Sequence, residues 1–486
     1  MEAKGKHGLG LRMWLFVILI GFAGQLAWMI ENMYLNTYIT YINFSAPLSQ
    51  RFDYSTFIAV TTAVSAIVAT LTTIFMGALI DKFGHKKYFL SFGYILWGLS
   101  TAAFGLFNIN STSKLLPVAM TAAMAGIWVI ILDCIMTFFG STANDATFNA
   151  YVTKNVSEEK RGRVEGVLSI LPLVAMIFLF VVLNNLTADS GKLDASGARI
   201  HDARWDLFFY LVGGFVLLMG IIAFFLIPPE TEEKKESNFL SLLIEGFKPS
   251  VIRQNLNFYL ILLIYFVVSV SSQVFFPYLM VYLQMTCHIS NEASSGLSSF
   301  ALVMALAMGI GSILTVLIGF LSDRFGKDKM ILPVLFIFAL GLVLMFFIPD
   351  VGSLDEKGNA SLERVIFACL AGLVMVFGDV GVPTVINALV RDYTPVGKEG
   401  EFLGIRMLFV VALPMCIGPF IGDGLNHSFG DTYTELAPDG MTRLDSIIPT
   451  KWGYLVGAFI LLLALIPFFY YRKNRKAEAK QPRKEN

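Results

Sequence analysis

Twelve runs of this sequence are each apolar over roughly the 20 residues that a helix needs to cross the hydrocarbon core of a bilayer. They lie at about 13–42, 54–80, 87–108, 118–150, 163–186, 205–227, 256–284, 294–321, 330–348, 363–390, 402–425 and 452–471. In lipid, every backbone N–H and C=O must be satisfied inside the protein, so separate runs of this length fold as helices. The expected fold class is an all-α membrane protein with twelve transmembrane helices. Composition agrees, since 56% of the 486 residues are hydrophobic and only 15% charged, too few charges for the surface of a soluble enzyme. The fourth run exceeds a single crossing, and its outer end is expected to extend past the membrane or to break. The N-terminus, with Lys4, Lys6 and Arg12 before an apolar run, mimics a signal peptide. Gln25, Glu31 and Asn32 interrupt the place of a small-residue cleavage site, so the run reads as a retained first helix.

Residues 228–255 open with Pro228-Pro229 and continue through mixed charges. This stretch reads as a cytoplasmic linker between a bundle of six helices at 1–227 and a second at 256–471, with a basic tail at 472–486. Smaller polar loops are expected at 186–204, 349–362 and 426–451. If both termini are cytoplasmic, 27 of the 36 Lys and Arg residues fall on that side, the asymmetry that the positive-inside rule requires. This orientation suits the plasma membrane. Cys134, Cys287, Cys369 and Cys416 have no metal-ligand spacing and are expected as free thiols.

A charged, glycine-punctuated turn occurs twice. Gly77-Ala-Leu-Ile-Asp81-Lys82-Phe-Gly84-His85-Lys86-Lys87 is echoed by Gly319-Phe-Leu-Ser-Asp323-Arg324-Phe-Gly326-Lys327-Asp328-Lys329, at a spacing of 323 − 81 = 242. Such a turn between membrane-length helices lies in water at the bilayer surface. The pattern resembles the loop between helices 2 and 3 of the major facilitator superfamily and its degenerate copy between helices 8 and 9. The repeat extends further: Tyr34, Leu35 and Tyr38 match Tyr278, Leu279 and Tyr282 at an offset of 244, and Asn149, Ala150, Gly162 and Gly166 match Asn387, Ala388, Gly400 and Gly404 at 238. Six crossings separate the copies, so the halves read as parallel repeats about an axis along the membrane normal, an architecture expected of alternating access.

Polar residues inside these runs are the candidate site. In helix 1, Gln25, Trp28, Asn32 and Asn36 share a face, with Gln25, Trp28 and Asn32 offered to substrate and the nearby Glu31 to a coupling cation. In helix 7, Tyr265, Ser269, Ser272, Gln273 and Phe276 share a face, suited to a polyhydroxylated ligand through ring stacking and hydrogen bonds. Tyr265 and Gln273 are the substrate candidates there. The alternative for each is helix packing or interhelical hydrogen bonding. Asp133 and Asp145 of helix 4 and Asp379 of helix 10 are candidates for cation coupling, with interhelical ion pairs as the alternative. Asn149 and Asn387 join the substrate set. Asp81, Lys82, Lys86, Asp323, Arg324, Arg163 and Arg406 are assigned to cytoplasmic gating or helix-end anchoring.

The segment Asp145-Ala-Thr-Phe-Asn149-Ala-Tyr-Val-Thr153, followed by Lys160-Arg161-Gly-Arg163, resembles the glycoside-pentoside-hexuronide:cation symporters. The resemblance implies that Asp145 binds sugar. Melibiose-type members carry an Asp in helix 1 where Gly21 stands, and paired sodium-binding carboxylates in helix 2, where 54–80 has none. A sodium site is therefore not carried over.

The expected function is secondary active transport of a sugar or glycoside by alternating access, driven by a cation, with a proton favoured over sodium. Expected partners are that small-molecule substrate, the coupling ion and membrane lipid, with no nucleic acid; the oligomeric state is open. The rivals are a lysolipid, drug or organic-anion carrier of the same fold, and a non-transporting membrane receptor or sensor. No phosphate loop, metal cluster, cofactor motif or nucleophile motif is present in the sequence, so neither enzyme activity, a cofactor nor a bound metal is expected.

Overall fold

The computed structural model describes residues 10–47, 50–106, 121–156, 158–190, 192, 201–227, 247–292, 298–354, 358–394, 399–436 and 443–478. Among these, twelve helices are long and apolar enough to span a membrane. They are α1 Leu11–Ser45, α2 Tyr54–Ile80, α3 Lys86–Leu106, α4 Ala122–Val152, α5 Ile170–Thr187, α6 Trp205–Leu226, α7 Leu256–Thr286, α8 Ser299–Ser322, α9 Lys327–Phe346, α10 Leu362–Tyr393, α11 Gly404–Phe429 and α12 Trp452–Ala477. The four cysteines are free thiols. Most of the linker at 228–255 lies outside the described residues.

Several spans are not uniform α-helices. Ile30–Tyr34 of α1, Ser141–Phe148 of α4, Leu179–Leu183 of α5, Tyr282–Thr286 of α7 and Leu408–Ala412 of α11 wind as π-helix, and Phe276–Tyr278 of α7 tightens to 3-10. Wide turns of this kind release backbone carbonyls from the regular ladder and often mark functional positions. The break in α7 coincides with Pro277, which has no N–H to donate, and falls on the repeat-mate of the wide turn in α1: 276 − 244 = 32 and 278 − 244 = 34. The irregularity of α4 lies nearer its C-terminal end than the expected break. Its N-terminal end is an ordinary capped start, with Thr121 Oγ1 accepting from Met124 N at 3.3 Å, as hydroxyl N-caps do. The stretch 426–451, expected as loop, contains an antiparallel hairpin of β1 Thr432–Leu436 and β2 Arg443–Ile447, in register from Thr432 opposite Ile447 to Leu436 opposite Arg443.

By packing, the described residues gather into two compact units. The first holds 10–52, 68–190 and 201–227, and the second holds Asp53–Ile67 and the residues from 247 onward. In the first unit α3 lies against α6 so closely that a Cβ on Gly98 would stand 2.3 Å from Leu217 N, and one on Gly213 would stand 2.5 Å from Ala102 N. In the second, a Cβ on Gly378 of α10 would stand 2.3 Å from Phe338 Cα of α9. Lipid supplies little hydrophobic drive for joining helices, so small residues that let backbones touch are what hold such seams. Arg12 closes the far end of α6 by donating from Nε to Leu226 O at 2.7 Å and from Nη2 to Phe225 O, a cation at a helix C-terminus.

The seam gives a direct test. Gly98→Leu is expected to force α3 from α6 and destabilise the fold by about 1–3 kcal/mol, lowering the melting temperature and the monodisperse yield in detergent. Gly214→Leu, at an exposed position where a Cβ would meet nothing within 4 Å, is expected to leave both unchanged.

Candidate functional site

In the first unit, the wide turn of α4 presents Asp145 half-buried beside fully buried Ser141 and buried Asn144. Asn144 Nδ2 donates to Asp145 Oδ1 at 3.3 Å. Asn144 Oδ1 lies 3.0 Å from the Tyr94 hydroxyl of α3, which is itself 3.1 Å from Ile20 O of α1. The hydroxyls of Ser141 and of Thr73 on α2 lie near the Asp145 carboxylate, both buried and without a hydrogen-bond partner. A Cβ on Gly24 would stand 2.8 Å from both Asn144 Oδ1 and the Tyr94 hydroxyl, so a bare glycine is what lets α1 approach this network. An amide and two hydroxyls from α4 and α2 thus stand by one carboxylate, with α3 and α1 joined to it through Tyr94 and Asn144, a donor set that a ligand rich in hydroxyl groups could exchange into.

The remaining candidates of this unit divide. Glu31 and the buried Asp133 both lie within electrostatic reach of Cys134, so the structure brings these two carboxyls into one neighbourhood. Trp28 packs edge-on to Trp97 at 5.2 Å, and Trp97 to Tyr94 at 5.4 Å, a chain of rings that leads to the Asp145 network. Asn32 Nδ2 bonds back to Trp28 O at 2.8 Å, and Asn36 Nδ2 to Asn32 O at 3.5 Å, which uses part of their capacity within α1. Gln25 is half-buried. Asn149 is exposed and donates to Asp145 O at 3.3 Å. The rings at the end of α4 serve packing: Phe148 and Tyr151 lie 5.4 and 4.9 Å from Phe16.

In the second unit, Ser272 Oγ donates to Asp379 Oδ1 at 2.5 Å. The repeat offset of 238 maps Asp379 onto Ser141, since 379 − 238 = 141, one helical turn from Asp145. By that offset the carboxylates of the two units fall four positions apart on the paired helices α4 and α10. Arg406 Nη2 donates to Asn387 Oδ1 at 2.9 Å, and the buried Tyr265 lies close to both side chains. Arg406, assigned to a gate in the sequence, thus sits with two substrate candidates. Gln273 is half-buried and faces Gly418 of α11, where a Cβ would stand 2.5 Å from Gln273 Cβ.

The side chains of Asp81, Asp323 and Arg163 lie outside the described residues. Around the turns, Lys82 is exposed, Lys86 is half-buried, and Arg324 stands 5.6 Å over the Phe325 ring. Gly84 and His85 turn the first copy with φ of 69° and 62°, and Gly326 turns the second with φ of 96°, conformations that the two glycines, unlike His85, adopt without strain. In the second copy Lys327 Nζ pairs with Asp392 Oδ2 at 2.6 Å, while Asp328 meets Arg475 and the Tyr471 hydroxyl. These pairs tie the turn to the ends of α10 and α12. Sequence reasoning missed Tyr94, Thr73 and Ser141 as neighbours of the Asn144–Asp145 pair, because nothing in their spacing marks three hydroxyls among many as lying beside one acid.

A chain of twelve spans, with carboxylates inside the spans of both units bonded to an amide in one and a hydroxyl in the other, is of the multi-span transporter class. The family model described as Major Facilitator Superfamily matches residues 13–419, and the chain belongs to that superfamily, a family of transporters rather than enzymes. Among solved structures, a D-xylose-proton symporter is similar with a TM-score of 0.65 and 14% identity, covering 93% of this chain and 97% of its own. A mutant of the nucleoside transporter NupG is similar with a TM-score of 0.64 and 12% identity over 95% and 100%. A bacterial homologue of the iron transporter ferroportin, in its inward-facing state, follows with a TM-score of 0.62 and 15% identity over 95% and 97%. At these identities the likeness is one of fold. No curated protein matches the sequence.

Tyr94→Phe leaves Asn144 Oδ1 and Ile20 O without their shared hydroxyl. A loss of about 1–3 kcal/mol is expected, read as a lower midpoint in thermal unfolding of the purified protein. An unchanged midpoint would show that the network does not hold α1, α3 and α4 together.

Proposed function

We propose that this protein is a secondary active transporter that moves a sugar or glycoside across the plasma membrane by alternating access, coupled to a proton, with both termini cytoplasmic. The observation that carries this reading is the half-buried Asp145 carboxylate among the hydroxyls and amide of Ser141, Thr73, Tyr94 and Asn144. A carboxylate held inside a membrane is costly unless it serves a partner, and this one can take up a proton or accept from ligand hydroxyls. Asp379, with Ser272, supplies a second acid in the other unit. Glu31 and Asp133 are further proton-coupling candidates, and Gln25, Trp28, Asn32, Asn149, Gln273, Tyr265 and Asn387 further sugar-contact candidates. The likeness in fold to a D-xylose-proton symporter supports the choice of cargo.

Sodium coupling of the melibiose type finds no support. A Cβ at Gly21 would stand 2.7 Å from Leu171 Cδ1 and 3.5 Å from Phe148 Cζ, an apolar contact with no room for an ion and its carboxylate. One observation favours a second cargo. Arg406, bonded to Asn387, is a cation beside polar candidates, as an organic-anion or sugar-acid carrier would need. Coupling of two fluxes requires only that both ligands bias the same equilibrium between states.

Uptake by proteoliposomes tests both readings, with a panel of neutral sugars, glycosides and uronic acids under an imposed pH or sodium gradient. Proton-driven uptake of a neutral sugar is expected, falling at least about tenfold in Asp145→Asn and losing its gradient dependence in Asp379→Asn. Uptake confined to acidic members and abolished in Arg406→Ala would select the anion reading. Absence of flux across the panel, or variants that behave as wild type, would remove the assignment.

A further inference from the structure

We propose that Asp53, Asp423 and His427, completed by the Thr56 hydroxyl, form a binding site for a divalent transition-metal cation where the start of α2 meets the end of α11. All four residues belong to the second unit. His427 Nε2 lies 2.9 Å from Asp53 Oδ2. Thr56 Oγ1 lies 2.7 Å from Asp53 Oδ2 and 3.0 Å from Asp423 Oδ2. One ligand atom from each of Asp53, Asp423 and His427 falls within 4.8 Å of the others.

Three features point from this cluster to a cation. The first is an excess of acceptors. The Thr56 hydroxyl has one proton for two carboxylate oxygens, and Asp423 Oδ1 is buried with no hydrogen-bond partner, lying 3.3 Å from His427 Nδ1. That Nδ1 is already directed at the Asp423 carbonyl oxygen, 2.9 Å away. The second feature is this same bond, because a ligating histidine typically donates its other ring N–H to a carbonyl or carboxylate, which fixes the tautomer and leaves Nε2 as the ligand. The third is size. With metal–ligand bonds of about 2.1 Å, neighbouring ligands at right angles stand about 3.0 Å apart, and the separations of 2.7, 2.9 and 3.0 Å among these atoms match that edge.

The surroundings hold the ligands in place. Asp423 and His427 are four residues apart on one face of α11. Asp53 caps α2, accepting from Thr56 N at 3.3 Å. Beneath them the buried Asn426 donates to Ser55 Oγ at 3.2 Å and accepts from Thr450 N at 3.0 Å, and Tyr54 donates to Ile447 O at 2.7 Å. Candidate ligands supported in this way are pre-organised. The side chains of His427 and Asp53 are 39% and 46% exposed, which leaves an entry path and room for water to complete the coordination. One imidazole with carboxylate and hydroxyl oxygens suits Zn²⁺, Mn²⁺, Fe²⁺ or Co²⁺, whereas a soft Cu(I) site needs sulfur and a calcium site is built of oxygen alone.

The test uses the full chain, purified without a histidine tag and stripped with chelator, and it is independent of the transported substrate. Calorimetric titration with Zn²⁺ is expected to show one saturable site tighter than about 100 µM, weakened at least about tenfold in Asp53→Asn and in His427→Gln. His201→Gln, in a separate pair with Asp189, should bind as wild type does. A second readout needs no variant: diethylpyrocarbonate modification of His427, followed by peptide mass spectrometry, should be suppressed by Zn²⁺ in wild type. No saturable binding, binding unaltered by both ligand substitutions, or His427 modified equally with and without Zn²⁺ would overturn the site.

Discussion

Everything in this molecule depends on the refusal of hydrocarbon to hydrogen-bond the backbone. Helices satisfy that constraint segment by segment, and the twelve spans follow from it. The same constraint makes each departure from regular winding informative. A wide turn frees carbonyl oxygens that must find other donors, and in α4 the wide turn is where Asn144, Asp145 and the Thr142–Thr147 pair cluster, with Thr147 Oγ1 donating to Thr142 O at 2.6 Å. The polar site and the irregular backbone are therefore one feature. Side-chain hydroxyls and amides stand in for the regular ladder, and the carboxylate shares their environment.

Helix packing follows a second consequence. Between α3 and α6, and between α9 and α10, backbones approach at glycines to distances that no side chain would allow. Contact of this closeness replaces the hydrophobic drive that lipid cannot supply. At Gly24 the same device serves the site, since it lets Asn144 and Tyr94 reach α1. A fold held by close backbone contact keeps its polar side chains for other uses.

Much of this was legible in the sequence, for reasons particular to each element. The spans were visible because a length of apolar chain is a property of consecutive residues. The two charged turns announced the repeat, and the break in α7 at Pro277 lies on the repeat-mate of the wide turn in α1. The intramembrane carboxylates stood out by their rarity, Asp145 among them. What could not be read was adjacency. Tyr94 and Asn144 meet across fifty positions, and Asp53 and His427 across 374, with no periodicity linking them. The hairpin at Thr432–Ile447 was hidden for another reason: in a chain dominated by long apolar runs, a short polar segment with alternating residues reads as loop. Arg406 illustrates a third limit. Its place at a helix end suggested a gate, while its bond to Asn387 depends on how α10 and α11 pair.

The composition of α2 bears on the proposed mechanism. Its Asp53–Ile67 portion gathers with the second unit and its remainder, from Val68, with the first, yet residues 54–80 carry no charged side chain. Ser55, Thr61, Thr62, Ser65, Thr70 and Thr72 are all buried. A buried hydroxyl without a partner is costly, but a hydroxyl in a helix can bond to the carbonyl four residues earlier, as Thr61 Oγ1 does with Phe57 O at 2.7 Å. A hydroxyl satisfied within its own helix loses no hydrogen bond when the surface packed against it changes. In the alternating access proposed above, a span free of charge would strand no ion when its neighbours change, although Thr70 Oγ1 is buried without a hydrogen-bond partner.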